Sequence, residues 1–201
     1  MKGSKWWEIG GFVAGAVLIV FGAVAIYMGV NGFTTVRDSI EQENIVFGTA
    51  DDPAVAEHAE QWAGEQVKTG DQARAFALIM RDHALEGSGG LTYAEMGRFV
   101  AADDPENPAG TSDAEAALKD EGGNPVSNSA RNTWITATSL STALNVSYMA
   151  EQLAIFGLVV GIALLLTGIG LVILAFAVFG RHEEAVERAA SAPLTTTPAT
   201  G

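Results

Sequence analysis

Two long stretches without a charged side chain constrain this chain more than anything else in its sequence. Residues 9–30 make an uncharged run of 22, and residues 153–179 one of 27. At about 1.5 Å per residue these are helices of about 33 and about 40 Å, against a hydrocarbon core of about 30 Å. The first is long enough to span a bilayer, and the second spans it with a tilt or projects beyond it. The rival reading of the first run is a cleaved signal peptide, since Lys2 and Lys5 resemble a basic leader start. Its apolar stretch exceeds the usual roughly 7–15 residues and no small-x-small cleavage site follows, so a retained anchor is expected. Trp6, Trp7 and Tyr148 flank the runs where interfacial aromatics belong, and Tyr27 lies inside the first.

These runs divide the chain into an N-terminus (1–8), a first transmembrane helix (9–30), an intervening domain (31–152), a second transmembrane helix (153–179) and a tail (180–201). Lys2 and Lys5 precede the first run, while Arg181, His182 and Arg188 follow the second. Outside their other ends stand only Arg37 and, between residues 132 and 152, nothing basic. Basic flanks face the cytoplasm, which predicts a plasma-membrane protein with both termini cytoplasmic and residues 31–152 extracytoplasmic. That domain carries 7 Lys and Arg against 20 Asp and Glu, so it holds the whole net charge of −13. Such a surface repels phosphates, which excludes nucleic acid as a partner and disfavours anionic headgroups. Membrane lipid around the two spans is the expected environment. Without cysteine there is no disulfide framework and no thiolate chemistry.

Glycine placement is the most informative feature of the spans. Gly11, Gly15, Gly22 and Gly29 are spaced by 4, 7 and 7, and Gly157, Gly161, Gly168 and Ala175 repeat that spacing. Seven residues return a helix to within about 20° of the same face, so each set forms a stripe of small residues. In lipid, small residues let backbones approach and gain dispersion contacts. The stripes are expected to face each other in a hairpin or to face copies in an oligomer. No ionisable side chain except Tyr27 lies in either run, which argues against a proton relay or charged ion path within one chain.

Helical spacing recurs between the spans and alternation does not, so the fold class is all-α: a transmembrane hairpin with an extracytoplasmic helical domain. Residues 34–44 are expected to extend the first span. Asp52-Pro53 opens a predicted helix to about Gln66. Thr69 starts another, with Ala73, Phe76, Ala77, Met80 and Ala84 on one face and Gly87 as its stop. Thr92 is expected to cap a short helix holding Tyr93, Met96, Gly97 and Val100. Ser112 with Glu115 reads as a capping box for another, to about Asp120. From about residue 127 one long helix continues into the second span until Gly180. Its packing stripe is predicted as Trp134, Ala137, Leu140, Leu144 and Tyr148, with Ser, Thr and Asn opposite. A disordered tail follows Arg188.

Two stretches, TGDQARAFALIMRDHALEGSGGLTYAEMGRF (69–99) and NSARNTWITATSLSTALNVSYMAEQ (128–152), carry a family resemblance. With the first span they resemble uncharacterised two-span membrane proteins of actinobacteria. Members are sometimes labelled as an aromatic ring-opening dioxygenase subunit, and the resemblance supplies no catalytic residues to transfer. Such an enzyme needs iron on a set such as two histidines and a carboxylate. Here the expected topology separates His182 from His58 and His83. His58 is read as part of a solvated helix face, and His83 as core-edge packing or a local ion pair. Asp103, Asp104, Glu106, Asn107, Asp113 and Glu115 suggest calcium, but Pro105 and Pro108 break the spacing a binding loop requires. Asn145-Val-Ser147 matches a glycosylation sequon by coincidence.

No nucleophile elbow or phosphate loop is found, so no metal, cofactor or catalytic residue is assigned. The expected function is a non-enzymatic interaction or accessory component whose partners are its own copies or other membrane proteins. A ligand-binding or sensing module, with Trp62, Tyr93 and Trp134 as pocket-lining or core aromatics, is the first alternative. An oligomeric channel is the second.

Overall fold

The computed structural model describes the backbone of residues 3–190 and the side chains of residues 9–177. Expectations for Lys2, Lys5, Trp6, Trp7, Arg181, His182 and Arg188 as flanking side chains lie outside the described residues. So does the tail from residue 191.

Four α-helices and one 3-10 turn make up the described chain: α1 (Gly3–Gln42), α2 (Pro53–His58), the turn Glu60–Trp62, α3 (Gly70–Gly87) and α4 (Ser129–Ala190). No strand forms among the described residues, and the all-α expectation holds. Two of the helices are long and apolar enough to cross a membrane, with mean hydropathies of 2.5 and 2.8 over their most apolar windows. The chain divides into two compact units, residues 1–30 with 155–201 and residues 31–154.

α4 is a single helix of 62 residues and continues through Gly180, where a stop was expected. One glycine in a helix interior costs only about 1 kcal/mol relative to alanine, too little to end a helix this long.

In the unit of residues 31–154, Asp52 caps α2 by accepting from the backbone N–H of Ala54 at 2.9 Å, with Pro53 at the first helical position. The helix ends at His58 instead of Gln66. Ala59 leaves helical geometry at φ −150°, and the chain beyond the 3-10 turn pairs with a distant segment. Phe47 N–H donates to the Glu65 carbonyl, and Val67 N–H to the Ile45 carbonyl. Ile40, Phe47, Val55, Ala59, Val67 and Leu144 are among the residues that close one core over this pairing. Thr69 and Gln72 form the capping box of α3. Ala75 and Ile79 are buried on α3 along with the expected Ala73, Ala77 and Ala84, so α3 packs over a wider face than its spacing implied.

The two short helices expected after α3 do not form. Thr92 and Glu95 do close a capping turn, at 2.8 Å from the Thr92 N–H to Glu95. Two residues on, Gly97 N–H donates to the Ala109 carbonyl at 2.6 Å, and Phe99 bridges both Thr111 and Ser127. Likewise Glu115 N–H is held by Asp113 at 2.9 Å, and the chain then bridges Ala117 to Ala101. Isolated antiparallel bridges satisfy the backbone here, and helix propagation loses to them.

Asn128 ties this irregular segment to α4. It is 4% exposed, donates to the carbonyls of Gly97 and Pro108 at 3.1 and 2.9 Å, and accepts from Ala130 N–H at the start of α4.

The contact stripe of α4 is also shifted. Buried or half-buried positions are Trp134, Ala137, Ser141, Leu144, Tyr148 and Glu151, in steps of three and four, and Leu140 points outward. Ser141 takes the expected place of Leu140 because its small side chain lets α4 approach α3, where its hydroxyl donates to the Ala77 carbonyl at 3.2 Å.

Candidate functional site

The unexpected member of the α4 stripe is a carboxylate. Glu151 is 2% exposed and lies seven residues beyond Leu144, so helical geometry directs it inward. Its Oε1 accepts from Arg37 Nε of α1 at 2.6 Å. Its Oε2 accepts from the backbone N–H of Gly70, the first residue of α3. A buried carboxylate is tolerable only when paired and hydrogen-bonded, and a helix N-terminus adds favourable dipole charge. A Cβ at Gly70 would collide with Glu151 and come within 3.0 Å of Tyr148 Cα, so only glycine admits this approach. Arg37 also lies over the Phe33 ring, 4.2 Å from its centroid. This node joins α1, α3 and α4, and sequence reading missed it. The signal was there: an acid on the apolar face of a helix.

Two further acid–histidine pairs join α2 to α3. His58 Nε2 meets Asp82 Oδ2 at 2.7 Å, and His83 Nε2 meets Asp52 Oδ2 at 2.9 Å. His58 is therefore half-buried and paired across helices instead of lying on a solvated face. His83 forms its ion pair with the distant cap of α2 and not with its sequence neighbours. Desolvation raises the pKa of Asp52. The N–H of Ala54, the charge of His83 and the N–H of Val55 together lower it further, for a net depression. Glu57, His58 and Asp82 bring three ligand-type atoms within 4.8 Å of one another. Only one is an imidazole and it already pairs with Asp82, so the group reads as a clasp.

The small-residue stripes meet within the other unit. Gly15 faces Gly168, where a Cβ would come within 2.8 Å of the Gly168 carbonyl oxygen. Gly22 faces Gly161, with 2.7 Å to that carbonyl oxygen. Seven residues forward on α1 match seven back on α4, an antiparallel register with backbones in contact. Gly29 and Ala175 are buried. Gly11 and Gly157 are not part of the close contact, having nothing within 4 Å of a built Cβ. Phe12 and Phe176 pack edge to face, 5.9 Å apart.

The three aromatics expected as pocket or core residues stand apart, and two of them belong to cores. Trp62 stacks on Phe47 at 6.0 Å in one core. Trp134 is buried with Ala84, Met96 and Ala137 in another. Tyr93 is exposed beneath the Arg131 guanidinium, 3.9 Å from its ring centroid. An open groove of about 510 Å³ runs along α4 beside Met80, Asn132, Thr133 and Thr136, and none of the three lines it. The six residues considered for calcium are exposed, and Asn107 and Asp113 use their side chains to hold turns.

No family model matches this chain, and neither a curated protein nor a solved structure matches it.

Proposed function

We propose that the chain is a non-enzymatic integral membrane protein whose helical, acidic domain acts as an interaction or accessory component outside the cytoplasm. The observation that carries this reading is the seam of Gly15, Gly22, Gly161 and Gly168 between two helices of membrane-spanning length. Only 11% and 17% of their apolar windows are buried within the chain, so the rest of that surface needs an apolar surrounding that water does not supply. A core helix of a water-soluble protein would be covered. A leader destined for removal has no need of glycines fitted to α4.

The ionisable groups support a structural role. Glu151, His58 and His83 are each engaged with a partner on another helix or at its cap. The separated positions of Trp62, Tyr93 and Trp134 remove the motive for a ligand pocket among them.

The chain has no native cysteine, so single cysteines report its topology cleanly. In intact cells an impermeant maleimide is expected to label Ser112→Cys, and to label Thr196→Cys only after permeabilisation. The chain is expected to stay in the pellet after alkaline carbonate extraction. Release by carbonate, or the reverse labelling, overturns the reading.

A further inference from the structure

The side of α4 opposite its packing stripe carries a second regular series. Ile135, Ser139, Thr142, Val146, Met149 and Leu153 follow one another in steps of four and three, and all are exposed. Ile135, Val146, Met149 and Leu153 are 42%, 52%, 63% and 68% exposed. A 3.5-residue repeat of this kind is the sequence pattern by which two helices pack knobs into holes.

The two polar members of this series do not present free donors. Ser139 Oγ donates to the Ile135 carbonyl at 2.7 Å and Thr142 Oγ1 to the Thr138 carbonyl at 2.8 Å. Thr136 and Ser147 turn back in the same way, at 3.1 and 3.2 Å. With hydroxyl hydrogens spent on the helix itself, the surface offers methyl and methylene groups and can be covered without stranding a donor.

Charge selects the occupant. Residues 132–150 contain no charged side chain, although they belong to a segment with 20 acidic and 7 basic residues. Two copies meeting elsewhere bring carboxylates together, while along this strip they do not. A basic partner would be drawn to the acidic faces instead of this uncharged strip.

We propose that the Ile135–Leu153 strip of α4 is the contact with a second copy of this chain, the two α4 helices packing side by side and parallel. The parallel sense rests on the membrane reading above, since copies inserted with one topology point the same way.

Single cysteines at Val146, Met149 and Leu153, with Leu140 as an exposed position off the strip, test this in native membranes under mild oxidation. Disulfide-linked species of twice the chain mass are expected at the three strip positions, about tenfold more abundant than at Leu140. The double variant Thr142→Glu, Met149→Glu is expected to run as a monomer in mild detergent where the native chain runs as a dimer. Equal linking at all four positions, no linking at any, or adducts of another mass overturn the proposal. Carbonate extraction of the same membranes separates the two failures. A retained chain that does not link sinks the pairing alone, and a released chain sinks the membrane reading.

Discussion

The backbone N–H of Gly70 donates to the carboxylate of Glu151, so the first turn of α3 is fastened to α4 by an ion taken out of water. Arg37 supplies the opposite charge from α1 at 2.6 Å. Removing the carboxylate strands the Gly70 N–H, while the Arg37 guanidinium, on a side chain 42% exposed, turns to water. Glu151→Ala is expected to destabilise the chain by about 2–3 kcal/mol. Glu151→Gln keeps an acceptor for Gly70 and should cost less, about 1–2 kcal/mol. Chemical unfolding followed by circular dichroism in detergent measures both. Equal effects of the two variants would show that the charge is irrelevant.

The glycine seam carries its own controls. Gly22→Leu and Gly161→Leu force a side chain into backbone atoms less than 3 Å from a built Cβ, and should destabilise by about 1–3 kcal/mol. Gly11→Leu and Gly157→Leu enter open space and should stay within about 0.5 kcal/mol of the native chain. Thermal denaturation in one detergent ranks the four. A flat ranking would mean that the helices do not touch at these glycines.

Acid should loosen the intervening domain through three carboxylates. Asp52, Glu95 and Asp120 all titrate below their ordinary values, which are 3.8, 4.5 and 3.8. Backbone N–H groups of Thr92 and Asn124 are the first cause for Glu95 and Asp120. For Asp52, opposing desolvation is outweighed by the Ala54 N–H and His83. A depressed folded pKa stabilises above the unfolded value and loses that contribution as pH falls through the folded one. Stability is thus expected to decline as pH drops below about 4.5, with Asp52 and Asp120 following Glu95. His83→Ala should raise the Asp52 pKa part of the way to normal, because the Ala54 bond remains. Carboxyl NMR titration of the two proteins reads that shift directly.

Asn128 is a cap and a clamp in one side chain. Asn128→Ala removes two donated bonds and the acceptor at the start of α4, and is expected to cost about 2 kcal/mol. Asn128→Asp keeps the cap but strands the Gly97 and Pro108 carbonyls, so it should not restore the loss. Hydrogen exchange should place the new opening in residues 97–128.

Local rules carried far where structure is set by period. Seven-residue spacing marks a face whatever the helix packs against, so the two glycine sets could be named without coordinates. Which glycines meet is a matter of register between distant segments, and no local signal separates Gly15 from Gly11. Thr92 and Ser112 show the opposite limit. A capping residue closes a turn equally well before a helix and before a bend, and the outcome was decided by pairing between separate segments, Phe99 with Thr111 and Ser127, and Ala101 with Ala117. Leu140 and Ser141 differ by one position on a stripe about 120° wide, and closeness to α3 favoured the smaller. Glu151 was legible in principle, but its place beside an apolar run made it resemble a span boundary.

The fit between Gly22 and Gly161 also bears on how the molecule can be taken apart. A generic hydrophobic anchor of equal length, grafted in place of residues 9–30, would still reach across a bilayer. It would meet α4 with branched or long side chains where α4 offers only bare backbone, and the two helices would stand apart. For this protein the helical stretch 9–30 is a part fitted to α4 and cannot be interchanged with another.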